Sequence, residues 1–204
     1  MFWDERYSED GFAYGTKPND FLVQQCDTYL SSSSKILSLA EGEGRNAVYL
    51  AQQGHDVTGV DSSKIGLDKA QKLAKERGVA IHTDVEDLKE YDIGEDKWDA
   101  VVSIFCHMPP PMRKDVHSKI VRGLKPGGIL LLEAYTPKQL DLKTGGPHTK
   151  DMLMTLEEIR SEDFAELEVE IGQELERDVI EGKYHTGKAA VVQLVCRKPS
   201  SSSM

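Results

Sequence analysis

The chain has little cysteine. Cys26, Cys106 and Cys196 are three in number, widely spaced, and none belongs to a CxxC pair. Such a set argues against a disulfide framework and fits a reducing compartment, here expected to be the cytoplasm. Long apolar runs are also lacking. Nothing approaches the roughly 20 residues of a membrane span, so no membrane partner is expected. The opening residues Met1-Phe2-Trp3-Asp4-Glu5-Arg6 are charged and aromatic, the wrong pattern for a secretory leader. Basic charge is short: 35 acidic residues stand against 25 basic ones, a net charge of −10. A nucleic-acid partner gripped through its phosphates needs the opposite balance. Histidine, cysteine and acidic residues show no metal-ligand spacing, so no bound metal is expected.

What is present is ordinary for a globular protein. The 204 residues are 39% hydrophobic and 29% charged, which suits one domain able to bury about 70% of its unfolded surface. That domain is expected over residues 1–198. Residues 1–30 are expected to form an N-terminal lid and helix segment, and the serine-rich tail 199–204 to be disordered. No internal repeat is visible. The alternation of segments predicts strands over 35–40, 56–61, 79–82, 98–105 and 129–134. Helices are expected over 45–53, over 63–77 with Ser63 as cap, from the Pro109-Pro110-Pro111 break to about 122, and around 156–161. Two further strand-like runs, about 165–180 and 188–197, flank Glu181-Gly182-Lys183-Tyr184-His185-Thr186-Gly187 with no helix between them. They predict a hairpin, which places antiparallel strands at one edge of an otherwise parallel sheet covered by helices on both faces.

The chemical signal begins after the first strand. Gly42 and Gly44 allow close approach to the backbone, because no Cβ intrudes. Gly42-x-Gly44-x-x-Ala47 matches the dinucleotide fingerprint, and Asp61 ends the second strand where an acid accepts hydrogen bonds from ribose hydroxyls. A dinucleotide would set its pyrophosphate against this turn, where Glu41 and Glu43 would repel it. S-adenosylmethionine carries no phosphate. Its sulfonium and ammonium are compatible with an acidic turn.

The stretch Ile36-Leu37-Ser38-Leu39-Ala40-Glu41-Gly42-Glu43-Gly44-Arg45-Asn46-Ala47 resembles motif I of class I S-adenosylmethionine-dependent methyltransferases. Asp84-Val85 is similar to the pair that contacts adenine in that family, and Leu124-Lys125-Pro126-Gly127-Gly128 to its turn before the fifth strand. The resemblance covers about residues 1–198. Ala40 departs from it, standing where the family usually has glycine; an extended backbone is expected there, with slightly less room. The segments Phe2 to Tyr7 and Tyr14 to Leu22 resemble the lead of thiopurine S-methyltransferases and of small tellurite-resistance methyltransferases.

The resemblance implies a Rossmann-like, seven-stranded, mostly parallel α/β sheet with an antiparallel C-terminal hairpin strand, and S-adenosylmethionine as cofactor. The cofactor residues it implies are Arg6, Tyr7, Ala40, Glu41, Gly42, Gly44, Asn46, Asp61, Ser62, Asp84, Val85 and Phe105. Tyr7 would pack near the cofactor and Arg6 hold its methionine carboxylate. The acceptor-site candidates are Tyr14, His107, Tyr135 and His148, with His107 the candidate general base. Residues 1 to about 17 show no clean helical periodicity and are expected to close over the site.

The expected reaction is methyl transfer to a small soft nucleophile: a thiol, or a selenium or tellurium species. The expected partner is a small-molecule methyl acceptor, on a monomer or weak homodimer. Three alternatives remain open: oxygen methylation of a small phenol or acid with His107 as base, a protein that binds S-adenosylmethionine without catalysis, and a nicotinamide oxidoreductase.

Overall fold

The structure, a computed structural model, describes residues 2–200; positions 201–204 of the expected tail lie outside the described residues. Seven strands form one sheet: β1 (Lys35–Leu39), β2 (Asp56–Asp61), β3 (His82–Val85), β4 (Trp98–Ile104), β5 (Leu124–Tyr135), β6 (Glu168–Glu181) and β7 (His185–Arg197). Their order is β3-β2-β1-β4-β5-β7-β6. The first five strands are parallel, while β7 runs antiparallel to both β5 and β6. The chain winds outward in opposite directions from the adjacent β1 and β4. Their carboxyl ends therefore border a crevice, the usual ligand position in open α/β sheets.

Alternation along the strands builds two cores. Ile36, Ala100, Val102, Ile129 and Leu131 face α2 (Asp20–Tyr29), α3 (Arg45–Gln52) and α4 (Lys64–Glu76). Leu37, Leu39, Val101, Leu130 and Leu132 face the other side, with Val116 and Ile120 of α5 (Pro110–Gly123) and with Phe164. Both faces of the central strands are thus dry, as their continuous apolar runs require. Each fully buried Leu or Ile contributes about 1.5–3 kcal/mol. Among the described residues no helix is long and apolar enough to cross a membrane.

Several expectations need correction. The third strand lies at His82–Val85, not at 79–82, because Ile81 is the buried residue that precedes it and the strand itself is largely exposed. The Leu124 to Gly128 stretch is not a turn ahead of the fifth strand; it is the first part of β5, paired through Leu124 to Trp98. Residues Phe2–Tyr7 are helical (α1), despite their lack of periodicity. After α6 (Gln139–Leu142), the helix expected around 156–161 is a short α7 (Leu156–Glu158) that passes into a π-helical turn at Ile159–Asp163.

Ala40 is not extended. Its φ of +48° lies in the left-handed region, which costs an L-residue about 1–2 kcal/mol. Glycine would remove that strain and give back part of the gain through unfolded-chain entropy. Ala40→Gly is therefore expected to raise stability by about 0.5–1 kcal/mol in urea unfolding; a loss of stability would show that the alanine methyl packs favourably.

Candidate functional site

The turn after β1 is built by close approach. Gly42 and Gly44 have φ of +62° and +94°. A Cβ on Gly42 would lie 2.6 Å from the Tyr7 hydroxyl, and one on Gly44 2.6 Å from the Ala70 Cβ. Beneath the turn, Glu41 Oε1 accepts the amides of Asn46 (3.2 Å) and Ala47 (2.9 Å), while Oε2 accepts the Ser38 hydroxyl. Burial pushes the Glu41 pKa up, and these hydrogen bonds oppose the rise. The carboxylate occupies the N-terminus of α3, where helix amides and dipole favour an anion. Glu43 does something else. It accepts the Ala13 amide at 2.7 Å and pairs with Lys69 at 2.9 Å, tying the N-terminal segment down.

Asp61 is buried at the end of β2. Its two oxygens accept the amides of Gly42 (2.9 Å) and Ser63 (2.8 Å), so it pins the glycine turn to the second strand. Burial raises its pKa against these bonds, and each oxygen keeps a further lone pair. Ser63, and not Asp61, caps α4, accepting the Gly66 amide at 3.1 Å. Val85 is the register partner of Asp61 on β3 and is 53% exposed; Asp84 accepts the Tyr91 hydroxyl at 2.8 Å. Ser62, Asp84 and Val85 therefore stand with Asp61 at neighbouring strand ends.

Helix α1 lies over this region. Tyr7 is 5% exposed and wedged between Gly42 and Gly66, with Trp3 stacked on its ring at 5.8 Å. The Arg6 guanidinium sits 3.8 Å from the Tyr184 ring centroid and donates to the Tyr14 hydroxyl at 3.3 Å.

A ring cluster adjoins the ends of β4 and β5. Phe105 has φ +52° and packs on Tyr135 at 4.6 Å and on His185 at 5.1 Å. His185 also meets Tyr14 at 4.6 Å and Tyr135 at 5.3 Å. His107 lies parallel to Tyr135 at 5.6 Å. Its Nδ1 is 3.0 Å from the Met152 carbonyl, and its Nε2 accepts the Tyr135 amide at 3.4 Å. Both nitrogens are engaged by backbone, with the proton on Nδ1. Loss of solvent pushes its pKa down to about 4. Cys106 beside it is pushed up to about 12 by burial.

A buried charge network underlies the cluster. Glu133 receives a two-pronged bond from Arg177 (2.8 and 2.6 Å), with Gln193 and Asn19 as further donors. Glu181 pairs with Arg45 at 2.7 Å and accepts from Asn19 at 3.0 Å. Burial alone would raise the Glu181 pKa, but His185 and Arg45 hold it at about 2. The Asn46 side chain accepts the Asn19 amide, linking motif I to the same network.

The donor set fits S-adenosylmethionine and not a dinucleotide, because the helix N-terminus that would receive a pyrophosphate already holds a carboxylate of the chain. Comparison with known proteins agrees. A methyltransferase-domain family model matches residues 36–128. The chain is 28% identical over 116 residues to the 2-heptyl-1-hydroxyquinolin-4(1H)-one methyltransferase of Mycobacteroides abscessus, covering 55% of this chain and 51% of that protein. Its sheet superposes with a TM-score of 0.73 on TehB from Haemophilus influenzae, at 19% identity over 97% of this chain and 66% of the other. A TM-score of 0.77, at 18% identity over 99% and 90% of the two chains, relates it to a structure described for the conversion of a disulfide bond into a thioacetal group during echinomycin biosynthesis. The family-model match covers somewhat under half of this chain, and with the similar proteins it supports methyltransferase chemistry that uses S-adenosylmethionine. The chain spans about half the length of the curated relatives that it matches first.

Most residues singled out from the sequence converge on the crevice. Tyr7, Ala40, Gly42, Gly44, Asp61, Ser62, Asp84 and Val85 gather about the carboxyl ends of β1, β2 and β3, and Tyr14, Phe105, His107 and Tyr135 in the ring cluster. His148 does not join them; it is exposed in the loop after α6. The sequence reading missed His185, whose Nδ1 is buried without a hydrogen-bond partner among the described residues, 3.9 Å from Glu181. The available signal was a Tyr-His pair inside a hairpin turn bracketed by Gly182 and Gly187. Gly182 is needed because a Cβ there would strike the Ala13 carbonyl and lie 2.5 Å from the Tyr14 Cα.

The depressed His107 pKa has a thermodynamic consequence. The unfolded chain binds this proton near pH 6.5, whereas the folded chain binds it only near pH 4. The contribution of neutral His107 to stability is therefore complete above pH 6.5 and lost as pH falls toward 4. Thermal unfolding is expected to show a larger fall in Tm between pH 7 and 4.5 for the native chain than for His107→Gln. Equal falls would show that His107 stays accessible to protons in the fold.

Proposed function

We propose that this domain transfers the methyl group of S-adenosylmethionine to a small soft nucleophile, a thiolate or a reduced selenium or tellurium species, held among Tyr14, Phe105, Tyr135 and His185. The observation that carries this reading is the lack of a free base beside β4: both nitrogens of His107 are bound to backbone. Soft acceptors of low pKa ionise with little help. S-adenosylmethionine supplies an activated methyl group on its sulfonium. With the cofactor bound, the acceptor's lone pair would bond to the methyl carbon as the carbon–sulfur bond breaks and its pair returns to sulfur. The chain contributes alignment of the three atoms and exclusion of water. Asp61 would take the ribose hydroxyls, Val85 and Asp84 the adenine, and Arg6 the methionine carboxylate. Residues 2–16 act as a lid, supported by the burial of Tyr7 against Gly42.

Oxygen methylation of a small phenol or acid is the second reading. It is favoured by the hydroxyquinolone named for the Mycobacteroides relative and by His185, an imidazole in the ring cluster with the Glu181 carboxylate 3.9 Å behind its Nδ1. On this geometry its base is His185, not His107.

An acceptor panel tests both. Incubation with thiols, selenite under reducing conditions, tellurite and phenols should consume S-adenosylmethionine with the thiol or chalcogen members, and His185→Gln should lower turnover less than tenfold. Turnover of phenols alone, abolished by His185→Gln, would replace the proposal with the second reading. Cofactor binding without consumption in any arm would leave a binding protein.

A further inference from the structure

Arg113 lies on α5, and its side chain is 1% exposed. A buried guanidinium is expensive unless it is paired and hydrogen-bonded. Glu158 meets its Nη2, and Asp163 Oδ2 lies 3.6 Å from its Nε. Asp163 reaches Arg113 from the π-helical turn, a local distortion common at functional places. The same Asp163 oxygen lies 2.7 Å from His117 Nδ1. This knot is not optimised for stability. Arg113 Nε and His117 Nε2 are both buried without a hydrogen-bond partner among the described residues.

What the knot fixes is the peptide around Met152. Arg113 Nη1 donates to the carbonyls of Asp151 (3.3 Å) and Leu153 (3.4 Å). The carbonyl between them, that of Met152, is left for His107 Nδ1 at 3.0 Å. The next residue, Met154, donates its amide to the Tyr135 carbonyl at 3.0 Å, and the Tyr135 amide returns to His107 Nε2 at 3.4 Å. A closed circuit of hydrogen bonds thus runs from Arg113 through residues 151–154 to the parallel rings of His107 and Tyr135.

We propose that Arg113 is a positioning residue for acceptor binding: by holding the Asp151 and Leu153 carbonyls it presents the Met152 carbonyl to His107, which fixes the imidazole as the Nδ1–H tautomer and sets the Tyr135 wall of the ring cluster. The assignment rests on the reading of that cluster as the acceptor site. The partners of Arg113 are Glu158, Asp163 and the carbonyls of Asp151 and Leu153, so it acts through His107 and Tyr135. Its fork geometry matters more than its charge, so lysine does not replace it.

Two variants of the full chain test this. Arg113→Lys keeps the charge and loses the fork. Glu158→Gln removes the partner that is 33% exposed and leaves Asp163 in place, so it keeps the test open if the first variant does not fold. The direct readout is the imidazole ¹⁵N spectrum of His107, assigned by comparison with His107→Gln. The native chain should show protonated Nδ1; the variants should show a mixed or reversed tautomer. With thiophenol as acceptor, KM should rise about tenfold in Arg113→Lys while the Kd for S-adenosylmethionine is unchanged. An unaltered tautomer in folded variants, or a cofactor Kd that moves as much as the acceptor KM, would overturn the proposal. Tyr135→Leu separates it from the reading beneath: if that variant leaves the thiophenol KM unchanged the acceptor site is elsewhere, if thiophenol is not methylated at all the soft-nucleophile reading fails, and in either case the tautomer spectrum still decides whether Arg113 sets His107.

Discussion

A carboxylate from the chain itself sits on the first turn of α3, and the cofactor crevice is arranged around it. Glu41 satisfies two amides that a helix start otherwise leaves open. To reach them the chain reverses at Ala40 in a left-handed conformation, while the Glu41 amide donates to the Val60 carbonyl on β2. Gly59 makes room: a Cβ there would lie 3.0 Å from Glu41 Cγ. The strained alanine, the glycine within a strand and the buried acid are parts of one arrangement. Its chemical effect is selective. A pyrophosphate finds the positive end of the helix already occupied by a carboxylate, whereas a phosphate-free cofactor makes no demand on it.

The antiparallel half of the sheet is joined to that turn by charge. Glu133 and Glu181 are balanced by Arg177 and Arg45, with Asn19 bridging the two carboxylates. Replacing such buried pairs by apolar groups is often neutral or stabilising, while removing one partner costs about 3–5 kcal/mol. The network therefore serves geometry more than stability. It holds the β6–β7 turn, and with it His185, against the N-terminal segment and the ring cluster.

The central sheet was legible in the sequence because its signals are local. The runs at 35–40 and 98–105 are largely apolar, that at 56–61 carries Val57 and Val60 between polar residues, and the three become β1, β2 and β4 with small changes of boundary. The hairpin was legible from the lack of any helix-forming stretch between two long alternating runs. β3 was misplaced because His82–Val85 is mostly polar and largely exposed, so the hydrophobic signal belongs to its neighbour Ile81. α1 escaped notice because six residues hold fewer than two turns, too short for periodicity to register. In the site, Gly42, Gly44 and Asp61 were legible as spacing. The inward turn of Glu41 and the roles of Glu43 and His185 were not, since each depends on partners from distant segments: Ser38 with the α3 amides, Ala13 with Lys69, and Tyr14 with Phe105.

The claim that Glu41 commits the crevice to a phosphate-free cation is open to one direct titration. Isothermal calorimetry of the native chain with S-adenosylmethionine and with NAD, in the same buffer, compares the two cofactors at the same turn. The account predicts saturable binding of S-adenosylmethionine and no measurable heat from NAD. NAD binding as tight as, or tighter than, S-adenosylmethionine would contradict it, because a pyrophosphate cannot share the α3 N-terminus with the Glu41 carboxylate.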